Sequence, residues 1–402
     1  MEFFIKRFAC KSGNDMKNTY TLLYLITSTN AGGSEKALFE LISRIDRTTC
    51  RVYVCSLKKP GLFAQRIAGH ADGFYTLDLP ETGGMRAVVN FLPALIQLFK
   101  LLKKLRPHIL HCFLFRANIL GRLAGRLAGV PLIISSLRVL EAHKKYKHLI
   151  DRLTSSMVNK YIAVSEAVRL FTIRQVHLSP DKIVTIYNGI ALEPAVQDKP
   201  CSFTADKNLT SILLAGRFEQ QKGHAVLIHA LTHLLPRAQN IKAYFFGEGP
   251  DEACIKDMVK REGISDAVVF MGVVEDILPY MQQMDIVVLP SLWEGLPNVL
   301  LEAMAAGRPV VASRIDGVAE VVIDGRTGLL FEPGNAEALA EALRSLIRNK
   351  ELAEAMGRAG RERVKIKFSL EKNLQETMAL YQTMLRGHSS LSPARAAIKT
   401  RK

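Results

Sequence analysis

The sequence predicts an α/β protein with two Rossmann-like domains that face each other across a cleft. Short apolar and β-branched runs alternate with helical patterns in two separate series. Such continuous apolar strands are typical of parallel sheets that helices cover on both faces. Residues 191–209 separate the two series as a proline-containing linker without apolar periodicity. The chain has 402 residues, which is enough for two large cores.

In each of the two series, helical patterns separate the predicted strands. In chain order, the strands are predicted at residues 21–28, 51–57, 73–79, 108–113, 131–137, 160–165 and 182–187, and then at 211–216, 242–247, 267–272, 285–290 and 309–313. The two domains are therefore expected at residues 18–190 and 210–367. Residues 1–17 are expected to form an unstructured leader, and residues 389–402 a disordered basic tail. Ligands should bind beyond the carboxyl ends of the strands.

The net charge of +16 belongs entirely to the first half of the chain. Residues 1–190 hold 28 Lys and Arg against 12 Asp and Glu, whereas residues 191–402 hold 26 of each kind. Within the first half, residues 86–152 carry 13 basic and 2 acidic side chains. A basic face of this kind attracts an anionic substrate, an anionic membrane face or nucleic acid. The sequence has no recognised nucleic-acid motif, so we do not expect nucleic acid as a partner.

Several classes of protein are disfavoured by the sequence. No apolar run reaches the roughly 18–20 residues that a membrane span needs. The first residues lack the apolar core of a signal peptide, so we expect a cytoplasmic protein, attached at most peripherally to the inner membrane face. The six cysteines form no CxxC pair, and no DxD motif is present. We therefore expect no metal and no cofactor.

The first candidate motif is a glycine pair directly after the first strand. Gly32 and Gly33 precede an amphipathic helix in the stretch TSTNAGGSEKALFELI, residues 27–42. Glycines let the backbone approach a ligand closely, and the amino end of the helix favours an anion. A tight turn between strand and helix, without any ligand, is the alternative interpretation.

The second motif places two cations beyond a strand of the second domain. The stretch LLAGRFEQQKGHAVLI, residues 213–228, ends its strand at Gly216 and continues with Arg217 and Lys222. A planar guanidinium and a compact ammonium beside a helix start suit a pyrophosphate. Two surface cations without a ligand are the alternative.

The third motif is SLWEGLPNVLLEAM, residues 291–304. Pro297 is expected at the first helical position. The backbone N–H groups of Leu296, Asn298 and Val299 then lie before or within the first turn, where no helical carbonyl reaches them. Phosphate oxygens are suitable acceptors for such groups.

Two glutamates flank this helix start. Glu302 lies about five residues inside the helix, roughly 7–8 Å along the axis, which suits a ribose next to the pyrophosphate. Glu294 cannot usefully face phosphates, because like charges repel, so a sugar with its hydroxyl donors is expected on its other side. Two acidic residues that merely flank a capped helix are the alternative. Farther upstream, the backbone near Val273 is a candidate contact for the base.

Taken together, these motifs resemble those of the retaining, nucleotide-sugar-dependent glycosyltransferases of family 4, which have the GT-B architecture. The motifs that carry the resemblance are Gly32-Gly33, the stretch GRFEQQKG (216–223), Glu294 and Glu302 eight positions apart, and the supporting stretches AVSEA (163–167), YNGI (187–190), FGEGP (246–250) and AMAAGRPVVAS (303–313). The resemblance implies that a C-terminal helix, residues 368–388, crosses back onto the first domain.

The resemblance also implies roles for single residues. Arg217 and Lys222 are expected to bind the donor diphosphate, Glu302 the ribose, and Glu294 the sugar hydroxyls. Three of these residues, Glu294, Arg217 and Lys222, are expected to act on the reacting groups and form the expected catalytic set. The expected donor contacts also include Gly33, Val273, Gly295, Leu296, Asn298 and Val299. The donor is a nucleotide-diphospho-sugar, which is a substrate and not a cofactor.

One departure from the family pattern concerns the first domain. Many members carry His-x-His after the fourth strand, and the second His contacts the donor sugar. Here His111 matches the first position and Phe113 occupies the second. The expected acceptor contacts are Gly32, His111, Asn118 and Arg138, with a packing role at the strand end as the alternative for His111.

The predicted function is transfer of a sugar to an acceptor hydroxyl in the synthesis of a cell-surface polysaccharide, lipopolysaccharide or glycolipid. The acceptor is a sugar or a lipid-linked molecule, and the basic first domain is expected to dock on an anionic membrane surface. The alternatives are a nucleotide-sugar 2-epimerase of similar shape, a basic protein that binds nucleic acid or membrane without catalysis, and a catalytically silent scaffold.

Overall fold

The chain forms two compact units, Met1–Gly189 together with Leu370–Lys402, and Ile190–Ser369. The computed structural model describes residues 6–9, 20–30, 32–80, 90–139, 144–192, 203–206, 208–236 and 240–388. The expected tail at residues 389–402 and most of the expected linker lie outside the described residues.

The first unit is built on a sheet whose described strands follow the order β1-β4-β3-β2-β5-β6-β7-β8. All neighbours pair in parallel except β1 and β4. The strands are β1 (Lys6–Ala9), β2 (Tyr20–Ile26), β3 (Cys50–Lys58), β4 (Gly73–Leu79), β5 (Ile109–Phe113), β6 (Leu132–Leu137), β7 (Lys160–Ala163) and β8 (Ile183–Thr185). The strand order reverses between β2 and β5, which is where ligands bind in open α/β sheets.

Helices cover both faces of this sheet, as the apolar runs predict. They are α1 (Gly33–Arg44), α2 (Ala64–Gly69), α3 (Phe91–Leu105), α4 (Phe115–Ala128), α5 (Lys145–Leu153), α6 (Glu166–Phe171) and, at the end of the chain, α14 (Leu370–Gly387). Successive side chains of a strand point to opposite faces. Leu22, Tyr24 and Ile26 of β2 accordingly share a core with α1 and α14, whereas Leu23 and Leu25 share one with α3 and α4.

The second unit has a parallel sheet whose described strands follow the order β11-β10-β9-β12-β13-β14. The strands are β9 (Thr210–Ala215), β10 (Ile241–Phe246), β11 (Val268–Gly272), β12 (Ile286–Leu289), β13 (Val310–Ser313) and β14 (Leu329–Phe331). The helices are α7 (His224–Leu234), α8 (Glu252–Arg261), α9 (Leu278–Met281), α10 (Asn298–Ala305), α11 (Asp316–Ala319), α12 (Ala336–Arg348) and α13 (Lys350–Lys367). The strand order reverses between β9 and β12, which pair through Ile286 with Ile212 and Val287 with Leu213.

All twelve predicted strands are confirmed, and their ends differ from the predicted ones by at most two residues. Two observed strands were not predicted. β1 lies inside the expected leader and pairs antiparallel with β4, so the prediction of an unstructured leader is wrong for residues 6–9. β14 has only three residues and pairs in parallel with β13, and a run so short carries no periodicity.

The C-terminal helix α14 packs on the first unit, as the family resemblance implies. Its Tyr381 is fully buried, and the hydroxyl lies 3.1 Å from the hydroxyl of Tyr24. The second unit therefore lies in the sequence between two parts of the first. The two ends of the second unit lie side by side, because the N–H of Ile190 donates to the carbonyl of Phe368 at 2.9 Å.

Candidate active site

The predicted donor residues of the second unit lie at the carboxyl ends of its two central strands. β9 leads to Arg217 and Lys222, and β12 leads to Ser291 and Glu294. These two strands are neighbours in the sheet and flank the point where the strand order reverses. The topology therefore brings together two motifs that lie 72 residues apart in the sequence.

Lys222 and Glu294 form an ion pair at this edge. Lys222 Nζ lies 2.5 Å from Glu294 Oε1. The hydroxyl of Ser291 donates to the same oxygen at 2.9 Å. The side chains of Lys222 and Glu294 are 20% and 9% exposed, so the pair is largely shielded from water and yet reaches the surface. This arrangement holds the carboxylate of Glu294 in one orientation without any ligand.

The backbone brings the two loops together before the side chains meet. The N–H of Leu292 donates to the carbonyl of Gln221 at 2.8 Å, and Gln221 Nε2 donates to the carbonyl of Trp293 at 2.7 Å. Gly223 has φ = +65°, and a Cβ atom there would lie 2.0 Å from the carbonyl oxygen of Pro290. Only glycine tolerates both the left-handed conformation and this close approach.

Arg217 lies at the mouth of β9 in a much more open environment. Its Nε lies 2.9 Å from Glu219 Oε1, and its side chain is 68% exposed. Water screens such a pair, so the interaction is weak. A guanidinium has five N–H donors, and most of them remain available to an anionic ligand at this edge of the sheet.

Glu302 lies within α10, as expected, and is only 5% exposed. The helix begins at Asn298, one residue later than expected. Pro297 has φ = −80° and ψ = 102° and occupies the capping position, so its prediction as the first helical residue is wrong. The carbonyl of Pro297 accepts the N–H of Leu300 at 3.1 Å. The first turn of α10, including Asn298 and Val299, nonetheless follows directly on the loop of Glu294.

The remaining predicted donor contacts are placed around this loop and after the neighbouring strand. Leu296 is buried, whereas Val299 is half-buried. Val273 directly follows β11 and is 41% exposed, so its backbone stands near the surface at the carboxyl edge of the sheet. Gly33, by contrast, lies in the first unit, at the start of α1.

In the first unit, the glycine pair is built around a glutamate that the sequence reasoning missed. Glu35 is 7% exposed, and Ser28 Oγ donates to its Oε1 at 2.8 Å. A Cβ atom at Gly32 would lie 2.4 Å from Glu35 Oε2, so the first glycine makes room for this carboxylate. Burial raises the pKa of Glu35. The available signal was its place three residues after the helix cap, where glutamate folds back onto the backbone.

Arg138, which follows β6, connects this end of the strand to the start of α1 and to the segment after β8. Its Nε donates to Ser34 Oγ at 2.9 Å, and its Nη2 donates to Asn188 Oδ1 at 2.8 Å. The guanidinium lies 5.4 Å from the centre of the Phe113 ring, and its burial lowers the pKa of Arg138 to about 10. Phe113, which stands where many family members have their second His, thus serves as a platform for a cation.

His111 is engaged inside the first unit through both ring nitrogens. Nδ1 lies 2.6 Å from the Tyr381 hydroxyl of α14, and Nε2 lies 2.8 Å from Ser136 Oγ. Burial lowers the pKa of His111 to about 3, so the ring is neutral at physiological pH. These contacts fit the alternative role for His111, that of a packing residue at the strand end. Asn118 is buried beside it and donates to the carbonyl of Ser136 at 3.0 Å.

Metal binding and membrane insertion place specific demands on a structure. Within the described ranges, no group of three or more His, Cys, Asp or Glu side chains is placed to hold a metal ion. None of the helices in the same ranges is both long and apolar enough to cross a membrane.

Comparison with known families gives two consecutive matches. Residues 31–194 match the model described as Glycosyltransferase Family 4. Residues 198–363 match the model described as Glycosyl transferases group 1. The two matches together cover most of both units, and each contains the candidate site residues of its own unit.

Individual relatives are similar over most of their length. The chain is 26% identical over 318 residues to the capsular polysaccharide biosynthesis glycosyltransferase CapM of Staphylococcus aureus, over 75% of this chain and 83% of that protein. It is 27% identical over 316 residues to the UDP-Gal:α-D-GlcNAc-diphosphoundecaprenol α-1,3-galactosyltransferase of Escherichia coli, over 74% and 81%. A solved structure of Anabaena HepE with UDP-glucose aligns at a TM-score of 0.77 and 20% identity, over 90% of this chain and 99% of that chain. This likeness shows a common fold.

Proposed function

The chain belongs to the group 1 and family 4 glycosyltransferases of GT-B fold, which use nucleotide-sugars, and from this premise we propose that it is a retaining enzyme of cell-surface polysaccharide or glycolipid synthesis. The observation that carries the proposal is the cluster of Lys222, Ser291 and Glu294 at the switch point of the second sheet, with Arg217 at its mouth. Two cations and one oriented carboxylate suit a diphosphate that is linked to a sugar.

The chemistry of this site is electrostatic. The bond between the anomeric carbon and the diphosphate oxygen breaks, and the negative charge that develops on the diphosphate is stabilised by Arg217, Lys222 and the N–H groups at the start of α10. The acceptor oxygen bonds to the anomeric carbon on the face that the diphosphate leaves, which retains the configuration. The acceptor proton passes to the departing phosphate oxygen. Glu294 orients the sugar ring through its hydroxyls.

The donor contacts proposed for the second unit are Arg217, Lys222, Val273, Glu294, Gly295, Leu296, Asn298, Val299 and Glu302, and Gly33 is proposed from the first unit. The proposed acceptor contacts are Gly32, Asn118, Arg138 and His111. Arg138 is the most suitable of these four for a polar contact, since both ring nitrogens of His111 already have partners and Asn118 is buried.

A screen of nucleotide-sugars tests the activity. The purified chain is incubated with UDP-, GDP-, ADP-, TDP- and CDP-sugars, with and without a chelator, and the products are separated by chromatography that resolves epimers and are identified by mass spectrometry. We expect slow hydrolysis or transfer from one donor, lost in Glu294→Ala. Conversion of a donor into its 2-epimer would instead support the epimerase. If no donor reacts and none binds, the result would support the alternative of a catalytically silent scaffold.

We further propose that the first unit docks on an anionic lipid surface, where a lipid-linked acceptor is found. None of the residues of α5 is buried, and Tyr146, Leu149 and Leu153 are 60%, 58% and 70% exposed. Their spacing of three and four residues puts them on one face of the helix. Lys145 and Arg152 accompany them, and such a basic amphipathic helix lies in the plane of a membrane interface.

A buried ion pair attaches this helix to the unit. Arg122 of α4 is fully buried, and its Nη1 donates to Asp151 of α5 at 2.6 Å. The same nitrogen also donates to Thr154 Oγ1 at 2.8 Å. Besides this polar contact, the ring of His148 lies edge-on against the ring of Phe171, with 5.4 Å between their centres. Tyr146, Leu149 and Leu153 remain exposed.

Vesicle co-sedimentation tests the docking. We expect the chain to bind vesicles that contain phosphatidylglycerol at low salt, and the variant Leu149→Ser with Leu153→Ser to bind at least about tenfold more weakly, since each buried leucine contributes about 1.5–3 kcal/mol. Ile366→Ser is the matched control, because Ile366 is 73% exposed in the second unit. Equal binding of all three proteins would contradict the role of α5.

A further inference from the structure

The two carboxylate oxygens of Glu294 have different surroundings. Oε1 accepts two hydrogen bonds, from Lys222 Nζ at 2.5 Å and from Ser291 Oγ at 2.9 Å. Oε2 accepts none from the residues that the structure describes. Ser291 is fully buried, so it fixes the carboxylate from the side of the protein interior. One oxygen of Glu294 is thus used to hold the side chain, whereas the other takes no part in these two bonds.

The ion pair also means that the cation of Lys222 is already neutralised in the ligand-free protein. An ammonium has a single charge and three donors. A diphosphate that binds at Lys222 would meet the negative charge of Glu294 on the same ammonium. The pair is shielded from water, so solvent weakens this repulsion only in part. Lys222 must therefore move from the carboxylate to a phosphate oxygen before it can bind the diphosphate fully.

Arg217, the second cation of the site, does not have a shielded carboxylate that competes with a phosphate for it. Arg217 also has a carboxylate partner, Glu219, at 2.9 Å, but this pair is 68% and 33% exposed. Water screens it, and the guanidinium keeps donors for a ligand. Only the Lys222 pair requires an exchange of partners.

We propose that, without a ligand, the carboxylate of Glu294 occupies the place at Lys222 that a donor phosphate takes when the donor binds. Donor binding then replaces the carboxylate by the phosphate as the partner of Lys222. Ser291 is a positioning residue that keeps Glu294 in place during this exchange. The proposal rests on the proposed function. After the exchange, Oε1 keeps the hydroxyl of Ser291, and Glu294 needs new donors. A sugar hydroxyl supplies them in the complete donor. A nucleoside diphosphate without the sugar does not, so the exchange disfavours the spent donor and favours its release.

The test compares binding of a nucleoside diphosphate with binding of the complete donor. Isothermal titration calorimetry is performed with UDP and UDP-glucose, or with the pair that the donor screen identifies. We expect Glu294→Gln, which keeps the shape and removes the charge, to bind the nucleoside diphosphate about tenfold more tightly than the wild type, in line with the coupling of contacting charges. We expect the same variant to bind the complete donor no more tightly.

Two further variants isolate the contributions. Lys222→Gln should bind the nucleoside diphosphate at least about tenfold more weakly, and adding Glu294→Gln to it should give no gain, because the competing pair is already absent. Glu219→Gln should change the affinity less than about twofold, since its pair is screened by water. Glu332→Gln, whose side chain is 71% exposed, serves as the unchanged control.

Ser291→Ala tests the positioning role. We expect kcat to fall about ten- to a hundredfold, as for the loss of one hydrogen bond to a charged group, while the dissociation constant of the nucleoside diphosphate changes less than about twofold. A merely structural role would lower the melting temperature and leave kcat of the folded fraction unchanged.

The outcomes are distinguishable from failure of the proposed function. If the wild type binds UDP but Glu294→Gln binds it equally or more weakly, Glu294 orients Lys222 instead of competing for it, and this inference alone is overturned. If the wild type binds no nucleoside diphosphate of the ADP, GDP, UDP, TDP and CDP series, the proposed function fails and the exchange fails with it. A melting temperature of Glu294→Gln within about 2 °C of the wild type excludes misfolding; otherwise Glu294→Ala replaces it.

Discussion

The carboxyl edges of the two sheets have the same topology but use their polar side chains in opposite ways. In the first unit, His111 bonds to Tyr381 and to Ser136 in the interior, and Arg138 bonds to Ser34 and Asn188. In the second unit, Arg217 is largely exposed and the Lys222 pair reaches the surface. The polar groups at the first edge mainly bond to other groups of the same unit, whereas the charged groups at the second edge are accessible to a ligand. Substitutions at the first edge should therefore cost stability, and those at the second should cost activity.

The largest expected effect is at the second edge. Arg217→Ala should lower kcat/KM by about 100-fold, as for removal of a donor that stabilises developing charge. The free energy of unfolding should change by less than about 0.5 kcal/mol, because the side chain is exposed and its ion pair is weak. Initial rates with the identified donor measure the first quantity, and urea unfolding followed by Trp293 fluorescence measures the second. Comparable losses of both would break the contrast between the edges.

The next effect is the pH dependence of the stability of the first unit, to which His111 contributes. His111 has a pKa of about 3 in the folded protein, because it is buried, against an ordinary value of about 6.5. The unfolded chain therefore binds a proton that the folded chain does not. The resulting stabilisation is complete above pH 6.5 and is lost as the pH falls toward 3. At pH 5 the loss amounts to up to about 2 kcal/mol.

The variant His111→Gln isolates this contribution. Its overall stability is expected to be lower, but its stability should fall less between pH 7 and pH 5 than that of the wild type. Hydrogen exchange of the β5 amides, corrected for intrinsic rates, reports on the first unit. The contribution of His224, whose pKa burial lowers to about 4, belongs to the second unit and should be the same in both proteins. Parallel pH profiles in β5 would argue against a neutral, buried His111.

An effect of similar size is expected at Tyr381. Its hydroxyl contacts both Tyr24 and His111, at 3.1 Å and 2.6 Å. Tyr381→Phe keeps the ring and removes both contacts, so we expect the first unit to lose about 1–3 kcal/mol. Exchange of the α14 and β5 amides should accelerate together, while binding of the nucleoside diphosphate to the second unit should stay within about twofold. A large loss of this binding would show that the two edges are energetically coupled.

The smallest effect is expected where the first edge loses one bond near the surface. Ser34→Ala removes the hydroxyl that accepts from Arg138 Nε, at a cost of about 0.5–1.5 kcal/mol. Asn188 still holds the guanidinium through Nη2. Transfer rates at limiting acceptor concentration distinguish the possible roles of Arg138. A raised KM for the acceptor, together with only this small loss of stability, would support the proposal that Arg138 contacts the acceptor.

Much of the fold could be predicted because parallel strands that are buried on both faces are continuous apolar runs. β1 could not be predicted, because it is an antiparallel edge strand of four residues, and β14 has only three. The candidate donor residues Arg217, Lys222, Glu294 and Glu302 could be located on the fold because their two motifs each follow a predicted strand. That Lys222 binds Glu294 could not be predicted, since the pairing depends on which strands are neighbours in the sheet.

The same limit applies to the first unit. The pattern of α14 indicated a helix, but nothing in it showed that Tyr381 would reach His111, 270 positions earlier. Glu35 and Ser291 were overlooked for a different reason. Each looks like an ordinary residue of a helix start or a turn, and its importance depends on the backbone or the carboxylate that it contacts.

The bond between Ile190 and Phe368 has a consequence for the order in which the chain folds. The contact of Tyr24 with Tyr381 closes a loop across 357 positions, and the entropy cost of closing a loop grows with its length. Once the second unit has folded, its two ends are 2.9 Å apart at this bond, so its residues no longer lengthen the loop. On the ribosome the second unit is synthesised before α14. The last helix therefore completes the first unit across a gap that the inserted unit has already closed.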